Sequence, residues 1–363
     1  MKKTPFNGIH RKLGAKLVEF AGFEMPIQYS GIVNEHKKVR DSVGVFDVSH
    51  MGEFFVHGKD AEAFLQQNTL NDVTKLTPGR AQYTALVNED GKLLDDLIVY
   101  KLENAYMIVA NASNIEKDFN AFSWRISGDV KLEDASDATA LLSVQGPNSP
   151  AVLAKIADVD LSAVQYYHFV EGKVAGIDAI ISRTGYTGEM GFEIFFGAES
   201  GDCAKMWDAI FESGEEFGIL PIGLGARDTL RLEMGYCLYG NDIDESTNPI
   251  EAGLGWITKI DKGDFFGKDA IVRAKQNVTR KLVGFRMNDN AIPRHGYAIH
   301  SSSDGSVVGT VTSGTFSPSL EAGIGMGYVE TSLAAEDREV FIDIRGKKAP
   351  AHVVKLPFVA KKN

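Results

Sequence analysis

The sequence predicts an α+β protein that ends in a small all-β domain. Three observations carry that reading. Over residues 1–276 strand-like runs interleave with amphipathic helical stretches, and many adjacent strands are linked as hairpins, unlike a regular parallel sheet. From 281 to 357 the texture changes to short β-like runs with Gly/Ser/Asp turns and no helical period longer than a turn, which suits a barrel or a sandwich. At 363 residues the chain exceeds one typical core, so two or three domains are expected, with a boundary at 276/277.

The elements follow in order. Helical periodicity falls over 32–41, and a short helix over 60–67 puts Ala61, Phe64 and Leu65 on one face, after a strand at 53–56. A meander of three strands is expected at 82–87, 93–101 and 105–110. Ser113 and Glu116 have the spacing of a capping box, opening a helix whose apolar face repeats Ile115, Phe119, Phe122 and Ile126. A strand at 140–144 precedes a helix at about 149–157. Strands at 173–182 and 191–196 are joined by a Gly-rich segment. A helix over 202–217 buries Cys203, Met206, Trp207, Ile210 and Phe211. Gly223 starts a turn into a further helix that Gly235 stops, and 268–277 is a helical bridge to the β region.

Composition narrows the function. The formal charge of −11 argues against a nucleic-acid footprint, which needs a basic surface. There is no run of about 18 apolar residues, no apolar signal segment and no Arg/Ser-rich transit segment, so a soluble cytoplasmic protein with no membrane partner is expected. Cys203 and Cys237 read as reduced thiols and cannot make a zinc site alone, and no metal is expected. No His pair has zinc-helix spacing, and there is no Walker loop or nucleophile elbow. Gly223-Leu-Gly225 lacks the third glycine of a dinucleotide fingerprint, since Asp228 stands there. His50 and His57 read as ordinary packed or surface histidines.

Three stretches retain chemical interest. Asp95 and Asp96 sit inside an apolar strand. Alternation puts Asp95 with Leu93, Leu97 and Val99, and Asp96 with Leu94, Ile98 and Tyr100. A buried carboxylate needs a partner, either a helix cap, an Arg or a ligand. In 183–193, three glycines, Tyr186 and Glu189 lead into a strand that carries Glu193, either a solvated hairpin or part of a site. Arg227 lies at a helix start with Arg231 one turn on, each open to an internal ion pair or to a carboxylate ligand. Tyr83, Tyr166, Tyr186, Tyr236 and Trp256 are aromatics beside these polar positions. Together they describe an enzyme or binding protein for a partly aromatic, anionic small molecule.

Nine segments, in order, resemble the aminomethyltransferases (T-proteins) of the glycine cleavage system. They are Phe20-Ala-Gly-Phe-Glu-Met-Pro26, Ser42-Val-Gly-Val-Phe-Asp-Val-Ser-His-Met-Gly52, Leu94-Asp-Asp-Leu97, Arg183-Thr-Gly-Tyr-Thr-Gly-Glu189 and Gly191-Phe-Glu193, then Gly223-Leu-Gly-Ala-Arg-Asp228, Asn248-Pro249, Asp264-Phe-Phe-Gly-Lys268 and Thr312-Ser-Gly-Thr-Phe-Ser-Pro318. The resemblance implies a three-domain cloverleaf, with two mixed α/β folate-binding domains followed by a small all-β C-terminal barrel. It implies transfer of the one-carbon unit of an aminomethyl group, carried on the lipoyl arm of the H-protein, to tetrahydrofolate. The products would be methylenetetrahydrofolate, ammonia and the dihydrolipoyl carrier. The family's essential acid matches Asp96. Its folate contacts match Tyr83, Tyr166, Tyr186, Glu193, Arg227, Tyr236, Met51, Asn111 and Trp256. One departure is a C-terminal Tyr or Arg that many members carry beyond the Pro-Phe pair. Here Val-Ala-Lys-Lys-Asn follows Pro357-Phe358.

Two relatives of this fold compete. A folate-binding assembly factor for iron–sulfur proteins carries a Lys-Gly-Cys-Tyr-x-Gly-Gln-Glu segment. Asp264 stands here where its cysteine would be. A folate-dependent demethylase would need a pocket for a free methyl donor and would not accept a carrier arm.

Overall fold

A computed structural model describes residues 1–361. The first of its two large sheets orders the strands Arg80–Val87, Leu93–Lys101, Tyr106–Ala110, Gly52–His57 and Lys131–Asp134, all antiparallel. The second orders Phe169–Val174, Ile177–Ser182, Gly191–Gly197, Thr139–Gln145, Gly44–Asp47 and Leu220–Pro221, with only the last pair parallel. The chain enters the second sheet at Gly44–Asp47, builds the whole first sheet, and returns at Thr139–Gln145. The two sheets are therefore interleaved in sequence. Strands Arg280–Met287, Ala322–Glu330, Val307–Ser317, Ala298–His300, Glu339–Ile344 and Lys347–Val354 then close a barrel, which leaves no open sheet edge. The α+β expectation stands, and the barrel-or-sandwich alternative resolves to a barrel.

Each sheet buries one face under helices. Phe64, Leu65 and Phe122, from helices Ala61–Asn68 and Ile115–Trp124, meet Phe54, Val56, Leu97 and Val99. Cys203, Met206, Trp207 and Ile210 of the helix Ser200–Gly214 cover the second sheet. Both cysteines are free. A third apolar layer forms where the two sheets face each other, from Tyr100, Met107 and Val109 on one side to Phe46, Leu141 and Phe195 on the other. Full burial of such side chains stabilises by about 1.5–3 kcal/mol each.

The helix Leu224–Glu233 packs under this layer and ties it to the barrel. Its entry requires glycine, because a Cβ at Gly223 would overlap the Ile27 carbonyl. Arg231, fully buried, pairs with the buried Asp242 at 2.7 Å and with Asp228, and donates to the Ser313 hydroxyl of the barrel at 2.9 Å. Glu233 takes Arg40 from the helix Ile32–Asp41 and the Ser317 hydroxyl from the barrel. Burial pushes its pKa up, but hydrogen bonding and charge from His36, and the charge of Arg40, hold it at about 2.

Several local expectations are corrected. The capping box does not form. A 3-10 turn over Ala112–Asn114 precedes the helix, and the Asn114 amide turns inward to Asp95 at 2.6 Å. Ile126 lies beyond the helix and is exposed. The strand expected at 173–182 is a hairpin, broken at Ala175 and Gly176, which both take positive φ. The helix expected at about 149–157 is short, Ser149–Leu153.

The Arg231→Met variant leaves Asp242 buried without its cation. It is expected to lose about 3–5 kcal/mol of stability in urea unfolding. An unchanged unfolding midpoint would show that this pair does not tie the barrel to the sheets.

Candidate active site

The Leu93–Lys101 strand pairs with Arg80–Val87 along its length, but with Tyr106–Ala110 only from Ile98 to Lys101. Beyond that point the ladder opens, and Asn111, just past the end of its strand, folds into the gap. Its Nδ2 donates to Asp95 Oδ1 at 2.8 Å and to Asp96 Oδ1 at 2.9 Å. The two acids leave opposite faces of the strand, as alternation requires, yet one amide joins them.

Asp95 is fully buried. It also accepts the Asn111 backbone N–H at 3.0 Å and the Asn114 amide. Asp96 is half-buried, and its second oxygen accepts the Tyr83 hydroxyl at 2.9 Å. Desolvation first, and then the charge of Asp95, push the Asp96 pKa up to about 7, against the donors Tyr83 and Asn111. Tyr83 stacks on Trp256 with ring centroids 5.9 Å apart, and Trp256 is 62% exposed.

Facing this group across the sheet-to-sheet layer is a second one. Tyr186 stacks on Tyr236 at 5.7 Å and donates its hydroxyl to the Cys237 carbonyl. The Arg227 guanidinium lies over the Tyr186 ring, 4.6 Å from its centroid. Arg227 makes no ion pair among the described residues, whereas Arg231 on the same helix makes two. Glu193 accepts the Thr184 hydroxyl at 2.5 Å. Burial raises its pKa, while Thr184 and the Arg227 charge oppose the rise. Tyr166, 37% exposed, packs edge-on to Tyr167 and lies within electrostatic reach of Tyr236. The Lys361 ammonium sits 5.3 Å from the Tyr236 centroid. The charge of Asp96 acts on Tyr186, so the two groups lie within electrostatic reach of each other. Met51 packs against the apolar layer between the two sheets. A separate cleft of about 410 Å³ opens between residues 241–247 and the barrel and contains none of these residues.

The arrangement sets an acid with a pKa near neutrality opposite an unpaired guanidinium, between stacked aromatics. It suits a planar, hydrogen-bonding, anionic ligand and charge stabilisation near Asp96.

Comparison with known proteins agrees. Residues 6–262 match the GCVT N-terminal domain, and residues 280–360 match the glycine cleavage T-protein C-terminal barrel domain. The chain belongs to the glycine cleavage T-protein (aminomethyltransferase) family. It is 56% identical to an aminomethyltransferase of Chloroherpeton thalassium and 54% identical to one of Bacteroides thetaiotaomicron, with 99% of each chain covered. The crystal structure of glycine cleavage system aminomethyltransferase T from Bartonella henselae superposes with a TM-score of 0.92 at 36% identity, covering 99% of this chain and 98% of that one. The family's mixed α/β region and terminal barrel are the architecture described above.

Of the ten candidate residues, Asp96, Tyr83, Asn111 and Trp256 form one contact group and Tyr186, Tyr236 and Arg227 another; Glu193 lies within electrostatic reach of Arg227 and Tyr166 of Tyr236, and Met51 packs against the apolar layer between the sheets. Sequence reasoning missed others. Glu53 is fully buried, faces the same layer, and has no donor on either oxygen. Burial first, and then the charges of Asp134 and Glu193, raise its pKa well above the ordinary carboxylate range. It carries the signal that flagged Asp95 and Asp96, an acid within an apolar strand. Asp118, buried in the helix over Asp95, lies between Ile115 and Phe122 on that helix's apolar side. His50, fully buried, leaves Nδ1 without a partner. Burial, and next the Arg227 charge, bring its pKa down to about 4.

Infrared titration of carboxylate bands in the free protein is expected to show a group with a midpoint of about 7. Removing the Tyr83 hydroxyl (Tyr83→Phe) takes a donor from the charged form and is expected to raise that midpoint by about 1–2 pH units. A midpoint that stays put would separate Tyr83 from Asp96.

Proposed function

We propose that this family activity takes place at the Asp96 site, with tetrahydrofolate as the acceptor of a one-carbon unit delivered as an aminomethyl group on the lipoyl arm of the H-protein. The observation that carries the proposal is the pairing of Asp96, which keeps open lone pairs beside Tyr83 and Asn111, with the unpaired Arg227 opposite. A folate combines a planar heterocycle rich in donors with a carboxylate tail, and the residues present fit both ends. Glu193 would accept from the amino-pyrimidine edge. The Tyr83–Trp256 and Tyr186–Tyr236 stacks offer aromatic faces, and Arg227 with Lys361 supplies positive charge for the carboxylates.

Bound tetrahydrofolate supplies the nucleophilic nitrogen. Asp96 accepts hydrogen bonds from the folate's bridging nitrogens, holds the nucleophilic one in line with the incoming carbon, and balances the positive charge that develops as ammonia leaves. Orientation and charge stabilisation, and not covalent participation by the protein, are the work of these residues. With a pKa near 7, Asp96 can also hold a proton at this point and release it.

The deciding experiment supplies aminomethyl-loaded H-protein and measures methylenetetrahydrofolate and ammonia, with and without tetrahydrofolate. Product formation that does not depend on folate would overturn the assignment. In the same assay, Asp96→Asn is expected to lower kcat on the order of 100-fold with folate still bound. Near-normal turnover would remove Asp96 from the chemistry, and loss of binding alone would make it a ligand contact. Lys361→Ala is expected to raise KM for tetrahydrofolate by about 2–5-fold at unchanged kcat, the scale of one exposed ion pair. An unchanged KM would exclude Lys361 from the folate tail.

A further inference from the structure

We propose that Asp118 is a positioning residue, a neutral carboxylic acid that donates its proton to Asp95 and so fixes the Asn111 amide against Asp96. The inference rests on the function proposed above and adds a residue that touches no substrate.

Asp118 projects from the helix Ile115–Trp124 and is fully buried. Neither of its oxygens meets an N–H or O–H donor. The group that acts on it most strongly is the Asp95 carboxylate, by charge and by a side-chain hydrogen bond. Two carboxylates are both acceptors, so a hydrogen bond between them requires a proton on one. Asp95 already accepts three N–H groups, one from the Asn111 backbone and two from the amides of Asn111 and Asn114. That environment favours the anion on Asp95 and leaves the proton on Asp118. Burial first, and then the charge of Asp95, raise the Asp118 pKa well above the usual carboxylate range, in the same direction. Asp95, Asp96 and Asp118 do not form a candidate metal cluster among the described residues.

The consequence reaches the site through Asn111. An amide can present either its N–H₂ or its carbonyl to a neighbour, and only an acceptor at Asp95 holds the N–H₂ end where it serves Asp95 and Asp96 together. Were the proton on Asp95, that acid would present a donor, the Asn111 carbonyl could turn to meet it, and Asp96 would lose a hydrogen bond. Ionised Asp118 would instead place another negative charge beside Asp95 and Asp96 and raise the proton affinity of Asp96. The groups facing Asp118 are Asp95 and Asp96 on the strand, Lys117 and Arg125 from its own helical segment, and Tyr239 from the loop beyond residue 235. Lys117 is engaged by the Tyr239 hydroxyl at 2.8 Å and by Glu245 at 3.2 Å, and Arg125 lies against Phe266 and the Val87 carbonyl. No cation is therefore hydrogen-bonded to Asp118 to stabilise its charged form among the described residues.

The test compares Asp118→Leu and Asp118→Asn in the full-length protein, with aminomethyl-loaded H-protein and tetrahydrofolate. Asp118→Leu removes the donor and is expected to lower kcat about ten-fold or more at little-changed KM for tetrahydrofolate, the signature of a misplaced catalytic group. Asp118→Asn donates an amide N–H to Asp95 and is expected to recover most of that loss. Wild-type kcat should fall on the alkaline side as Asp118 ionises, and this limb should disappear in Asp118→Asn. In the free protein, infrared difference spectra should show a protonated carboxylic acid C=O band that Asp118→Asn lacks. That readout does not depend on turnover, so failure of the assigned reaction and failure of this inference are distinguishable. An Asn variant as impaired as the Leu variant, an alkaline limb that persists in Asp118→Asn, or no change in the carboxylic acid band would each overturn the proposal. Should Asp118→Leu not fold, the pH profile and infrared spectrum of Asp118→Asn decide.

Discussion

The site depends on one amide shared between two desolvated carboxylates. Asp95 and Asp96 are sequence neighbours on opposite faces of a strand, and in a fully paired ladder the backbone would separate them. Here the ladder to Tyr106–Ala110 stops at Ile98, and the Asn111 side chain enters the gap and binds both. Unshielded charges this close repel strongly in a low dielectric. The N–H groups offset part of that repulsion, and burial first, with the remaining charge of Asp95 second, raises the pKa of Asp96. The electrostatics of the site are thus fixed by where a sheet ends, an aspect of backbone topology.

The opposite wall shows the complementary choice. Arg227 and Arg231 lie one turn apart on one helix, yet their environments diverge. Arg231 is locked to Asp242 and Asp228 and joins the barrel to the sheets, with its charge fully compensated. Arg227 has an aromatic face under it and no carboxylate bound to it among the described residues. Burial lowers its pKa against the charges around it. One arginine supports the frame and its neighbour keeps an unpaired charge toward the site, so the frame can be rigid without neutralising the group that meets ligand.

Much of this was legible in the sequence, for identifiable reasons. Period-two alternation separated the faces of Asp95 and Asp96, and apolar periodicity located the helices over 32–41, 115–124 and 200–214. The links between elements were not legible. Alternation reads the same in a barrel and a sandwich, so closure is a property of the ends and not of the strands. The capping-box pattern at Ser113 misled because Asp95, 19 residues upstream of Asn114, draws that amide away from the helix. Ala175 concealed a hairpin, because alanine gives no sign of the positive φ it adopts there. The different fates of Arg227 and Arg231 were undecidable locally, since one of the groups that capture Arg231 lies as far away as Ser313.

Glu53, Asp118 and Asp96 belong to one pattern. Each is an acid in an otherwise apolar environment, and each is pushed toward its neutral form chiefly by burial. For stability alone, apolar residues of similar shape would serve at least as well, because a buried acid without donors loses its hydration and gains little in return. The three are graded by their partners. Glu53 has no donor, Asp118 has none either and meets the Asp95 carboxylate, and Asp96 has two neutral donors, Tyr83 and Asn111. Of these three, Asp96 is the one pushed to about 7, near the balance point between its two protonation states, and the one proposed to face the ligand.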